Sequence, residues 1–124
     1  RQILDMRTGL AFNEDYVPGQ AGLTDVQRMS IAAGLAPRPA DYDGPDALMA
    51  LVASLGHNAP HGGDFVYRTP NTQCLQWIIE RVTDTGLPEL IRDQFWAPMG
   101  MAMDAMISVD RIGTAFGGGG LMAC

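Results

Sequence analysis

Apolar side chains recur at helical spacing most clearly at Cys74, Leu75, Ile78, Ile79 and Val82, steps of three and four residues that gather them into one stripe. A helix is therefore expected from Thr69 or Pro70, where proline suits a first turn, with the stripe facing a core. "PDALMALVASLG" repeats the pattern on a smaller scale. Pro45 sits at the expected first turn, Leu48, Leu51, Val52 and Leu55 share one face, and Gly56 is the stop. "TDVQRMSIAAG" carries a capping box in Thr24 and Gln27 and a closing Gly34.

Weaker patterns fill in the rest. "LPELIRDQFW" opens with Pro88 and Glu89, a carboxylate placed at the positive end of a helix dipole. "RQILDMRTGL" offers Ile3, Leu4 and Met6 before Gly9, which reads as a short helix and its end. "DAMISVD" alternates enough for a short strand. The stretch from Ala11 to Gly22 has no period, and Pro18, Gly19 and Gly22 mark it as loop; "APRPADYDGPD" is loop as well. The expected fold is mainly α, four or five helices joined by long loops with little or no sheet, in a single helical domain over residues 1–124.

Composition narrows the partners. Hydrophobic residues make up 47% and charged residues 18%, which fits a globular chain, and no apolar run approaches bilayer length. The net charge of −6 and singly scattered arginines provide no clustered basic surface for nucleic acid. A cytoplasmic chain with no membrane or nucleic-acid partner is the expectation. Cys74 falls inside a helical pattern and reads as core, whereas Cys124 could link two chains only under oxidising conditions.

Taken in order, "ILDMRTGL", "FVYRTPNTQCLQWIIERVTDTGLPELIRDQFWAPMGM", "DAMISVD" and "GTAFGGGGLMA" resemble the middle of a penicilloyl-serine hydrolase. That superfamily comprises class C β-lactamases, DD-peptidases, family VIII carboxylesterases and nylon-oligomer hydrolases. The resemblance implies a helical subdomain of the serine β-lactamase-like fold and gives Tyr67 the position of a catalytic proton carrier. Many members carry asparagine where Thr69 stands, so the likeness favours the esterase and amide-hydrolase branch. The superfamily's Ser-x-x-Lys pair is missing here: Ser30, Ser54 and Ser108 are followed three residues on by Ala33, His57 and Arg111.

Without that pair, other nucleophile activators come into question. "GHNAPHGGDF" places His57, His61 and Asp64 in one glycine-rich loop, where they are candidate ligands for a divalent metal, zinc or manganese, that would activate water. His61 and Tyr67 would then serve the chemistry on an ester-type small-molecule substrate, carboxylic or phosphoric. The plainer reading has His61 hydrogen-bonded within its loop and His57 solvated. Asp41, Asp43 and Asp46 suit turn and capping roles better than an oxygen-ligand ion site. The four glycines at 117–120 lack the Lys-Ser/Thr of a phosphate loop.

Met99, Met101, Met103 and Met106 cluster near Phe95 and Trp96, an apolar surface expected to drive homo-oligomerisation. Three functional readings follow: a metal-assisted hydrolase, a non-catalytic oligomeric helical fragment, or part of a longer acyl-serine esterase or amidase.

Overall fold

A computed structural model describes residues 1–17 and 22–123; the expectations placed on Pro18, Gly19 and Cys124 lie outside the described residues. The chain is mainly helical: α1 (Asp25–Ala32), α2 (Leu48–Ser54), α3 (Thr69–Thr83) and α4 (Leu87–Ile91), which runs on into a π-helical turn over Arg92–Trp96. The strands are two residues each, β1 (Met106–Ile107) and β2 (Leu121–Met122), antiparallel with Met106 opposite Met122 and Ile107 opposite Leu121.

Local chemistry sets most of the boundaries. The Thr24 backbone N–H donates to Gln27 Oε1 at 2.9 Å and the Gln27 N–H donates to Thr24 Oγ1 at 3.2 Å, so both halves of the capping box form. Gly34 ends that turn at a φ of +72°. The start of α2 comes later than Pro45 suggests. Ala47 is extended, Asp46 is drawn to Arg38 and Arg111 at 3.0 and 2.8 Å, and the N–H of Leu48 is capped by Asp110 Oδ2 at 3.1 Å. The helix expected over residues 1–9 is instead a series of turns. Met6 at a φ of +54° and Gly9 at +72° break any helical run. At Gly9 the chain passes so close to the 59–60 backbone that a Cβ would lie 2.2 Å from the Ala59 carbonyl oxygen.

Phe12, Met29, Ala32, Ala33, Leu48, Leu51 and Phe116 form the core, which packs α1 against α2 and the 115–116 segment. Helix α3 departs from the periodicity argument. Its buried residues are Thr69, Pro70, Asn71, Gln73 and Gln76, while Ile78 and Ile79 are each 47% exposed and Val82 is 80% exposed. The apolar stripe exists, but within this chain the helix turns its polar side inward.

That inward side is satisfied by hydrogen bonds. Gln73 Nε2 donates to the Ala115 carbonyl at 3.1 Å, and the Gly117 N–H donates to both Gln73 Oε1 at 3.1 Å and Gln76 Oε1 at 2.7 Å. Gln76 Nε2 donates to Glu80 Oε1 at 3.1 Å, and the same Glu80 oxygen accepts the Leu87 N–H at 2.8 Å, which caps the start of α4.

Candidate active site at the start of helix α3

The segment leading into α3 is extended, so neighbouring side chains point to opposite sides. Tyr67 is half exposed, and Arg68, at φ −149° and ψ 118°, is buried. The Arg68 guanidinium donates from Nε to the Phe12 carbonyl and from Nη2 to Asn58 Oδ1, both at 3.3 Å. It thereby ties the start of α3 to two other segments of the chain. Its partners are a carbonyl and an amide, not a carboxylate.

Below it, Thr8 Oγ1 donates to Asn71 Oδ1 at 2.7 Å in a buried contact. No side chain of Arg68 caps the helix. The cap comes from Glu14, whose Oε1 accepts the Thr69 N–H, as suits a carboxylate at the positive end of a helix dipole.

The other Glu14 oxygen accepts the Tyr16 hydroxyl proton at 3.0 Å. That bond, together with the Glu14 charge, raises the Tyr16 pKa above its ordinary value. Slight burial and the nearby Tyr67 add to the rise, and a Thr69 hydrogen bond opposes it. Two phenols, Tyr16 and Tyr67, therefore stand near one helix start. Beside them lies a cavity of about 210 Å³ whose lining includes Phe12, Glu14, Tyr16, Met29, Thr69 and Phe116. Gly118 and Gly119 complete the wall. A Cβ at Gly118 would lie 2.6 Å from Thr69 Cγ2, so this close approach needs glycine.

The remaining candidates sit elsewhere. His57 is exposed and makes a bridge through its backbone to Leu10. His61 places Nδ1 3.2 Å from the Thr8 carbonyl, which can only accept, so Nδ1 carries the proton in this contact. Asp64 is exposed. Among the described residues no three His, Cys, Asp or Glu side chains converge closely enough to hold an ion, so the linear cluster His57, His61 and Asp64 is not gathered in space. Asp46 is paired with Arg111 and Arg38, and those arginines hold its pKa below the usual carboxylate value. Cys74 is half buried, and burial pushes its thiol pKa up.

Reading the sequence alone missed Glu14, Tyr16 and the structural role of Arg68. Glu14 and Arg68 act on partners distant in sequence, Tyr16 acts through Glu14, and "FNEDYV" has no periodicity that would single out its carboxylate and phenol.

A helical layer with a tyrosine just ahead of its longest helix and a glycine run against that helix's first turn defines the class. The chain belongs to the β-lactamase family, a family of hydrolases, which it matches over residues 1–111. Among its relatives is the 6-aminohexanoate-dimer hydrolase of Paenarthrobacter ureafaciens, 36% identical over 120 residues that span 97% of this chain and 29% of the relative. A solved structure described as a 6-aminohexanoate-dimer hydrolase from Bacillus anthracis superposes with a TM-score of 0.82 at 26% identity, covering 97% of this chain and 31% of the other. The chain thus spans less than a third of the length of either protein. No helix among the described residues is long and apolar enough to cross a membrane.

Proposed function

We propose that this chain forms the helical lobe of an acyl-serine hydrolase acting on linear amides and esters, with the 6-aminohexanoate dimer as the representative amide. The nucleophilic serine and its lysine activator belong, in this reading, to a part of the protein outside residues 1–124. Tyr67 carries the proton to the leaving amine or alkoxide, which shortens the lifetime of the tetrahedral intermediate. Glu14 fixes the helix start and orients Tyr16 beside it, at the wall of the cavity that takes the substrate chain.

One observation carries the reading: a single carboxylate, Glu14, joins Tyr16 to the first N–H of the helix that Tyr67 precedes. Family membership and the relatives' names support the amide part of that substrate class. The metal-assisted alternative through His57, His61 and Asp64 has less support, because those side chains do not converge.

The test uses the complete gene product. A fluorophosphonate probe should label one serine, and Tyr67→Phe should lower kcat on the 6-aminohexanoate dimer by about 10²–10⁴-fold, the usual contribution of a positioned proton carrier. Turnover that survives the probe and is lost on exhaustive chelation would replace this reading with the metal-assisted one.

A further inference from the structure

Three hydrogen bonds lay the residues around Tyr67 against the N-terminal segment. The Val66 N–H donates to the Met6 carbonyl at 3.0 Å, Arg68 Nε donates to the Phe12 carbonyl at 3.3 Å, and the Thr69 N–H donates to Glu14 Oε1. Among the described residues Tyr67 makes no hydrogen bond of its own to another segment, so its direction is set by the residues on either side of it.

Arg68 decides which side of this stretch faces inward. Its side chain is 4% exposed and its backbone is extended, and alternation along an extended chain then turns Tyr67 the other way. Further chain can only add cover to a side chain that is already buried. Arginine is seldom buried so fully without a partner. The partners here are two neutral oxygens on separate segments, the Phe12 carbonyl and Asn58 Oδ1, each at 3.3 Å. A planar guanidinium, with its N–H groups in fixed directions, spans two such acceptors, whereas an ammonium presents a single point of charge. Phe12 and Glu14 also line the cavity, so these anchors tie the stretch that bears Tyr67 to the cavity wall.

We infer that Arg68 is a positioning residue for the reaction: its guanidinium, held by Phe12 and Asn58, fixes the backbone so that the Tyr67 hydroxyl is presented for proton transfer. The inference rests on the hydrolase reading, in which Tyr67 carries the proton, and adds the group that aims it.

A double-mutant cycle in the complete protein tests it, with kcat and KM read on the 6-aminohexanoate dimer. Arg68→Met, which fills the same space with a flexible apolar chain, should lower kcat by about 10–10²-fold and leave KM nearly unchanged, since a misplacement of about 1 Å costs on that order. In the Tyr67→Phe background the same change should cost less than about twofold, because a residue that acts through Tyr67 has nothing left to aim. Arg68→Lys should stay impaired, its charge kept and its fork lost. Asn58→Ala is the milder variant: the Asn58 N–H donates to the Gly9 carbonyl at 3.0 Å, so the loop keeps its place when the amide is removed. It should lower kcat less, again only where Tyr67 is present, and this cycle decides alone if Arg68→Met does not fold. Losses of equal size in the two backgrounds would mark a merely structural support and overturn the inference. Full kcat in Arg68→Met or Asn58→Ala beside a crippled Tyr67→Phe would overturn it as well. Full activity of Tyr67→Phe would instead sink the hydrolase reading, and the inference with it.

Discussion

Glu14 holds the backbone N–H of Thr69 across 55 residues of sequence and with its second oxygen holds the Tyr16 hydroxyl. The helix start and the Tyr16 segment are thus one hydrogen-bonded unit. Replacing the carboxylate by alanine removes the cap, and Glu14→Ala should cost about 1–2 kcal/mol in urea unfolding, the usual range for losing a helix cap.

Glu14→Gln tests the electrostatic half of the same contact. The Tyr16 pKa is raised chiefly by its Glu14 hydrogen bond and the Glu14 charge, so removing that charge should move its titration back toward the ordinary phenol value. An ultraviolet titration of tyrosinate, with Tyr16→Phe subtracted, reads the shift. The linkage has a definite sign. A phenol whose folded pKa lies above its unfolded one favours folding at pH below the unfolded value, near 10, and loses that contribution as pH climbs through the folded value. Tyr16 is 70% exposed, so solvent screening keeps the stability effect small, and the spectroscopic shift is the measurement that decides.

Asp110 is buried and serves three backbone donors: the N–H groups of Leu48 at 3.1 Å, Ile112 at 3.0 Å and Thr114 at 2.8 Å. Asp110→Ala should destabilise by about 3 kcal/mol, because each buried donor left without an acceptor costs about 1–3 kcal/mol. Asp110→Asn, which keeps one carbonyl oxygen, should cost less, and a pair of urea curves orders the two.

Two glycines separate backbone strain from collision. Gly22 has a φ of +83° with nothing within 4 Å of an added Cβ, so Gly22→Ala should cost only about 1–2 kcal/mol for the left-handed conformation. Gly9→Ala adds a 2.2 Å clash with the Ala59 carbonyl and should cost clearly more. Thermal unfolding of the two variants side by side gives the comparison.

Helix α3 makes an inverted prediction. In residues 1–124 expressed alone, Val82→Ser should change stability by less than about 0.5 kcal/mol, as for ordinary surface substitutions. Gln76→Leu strips an acceptor from the Gly117 N–H and a donor from Glu80, and should cost about 1–3 kcal/mol despite adding apolar surface. A larger penalty for Val82→Ser in the complete protein would locate a packing partner on that face.

These contrasts mark what the sequence carried. Thr24 with Gln27 and Gly34 were legible because each depends on neighbours within one turn, and the start of α3 at Thr69 because Pro70 marks its first turn, although its cap comes from distant Glu14. The orientation of α3 was not, because periodicity says that two faces differ without saying which partner each one meets. His57, His61 and Asp64 are close along the chain, but a loop rich in glycine and proline imposes no common direction on their side chains. Glu14, Arg68 and Asp110 act across 55, 56 and 62 residues, on backbone groups that leave no signature in the sequence.

The Gly117 N–H, shared between Gln73 and Gln76, has a mechanical consequence. It fastens the glycine run to the same rod whose first residue, Thr69, lines the cavity, so a tilt of that rod displaces the Thr69 wall and the Gly118–Gly119 wall together. Because Glu14 holds both the Thr69 N–H and the Tyr16 hydroxyl, the Tyr16 segment is carried along with them.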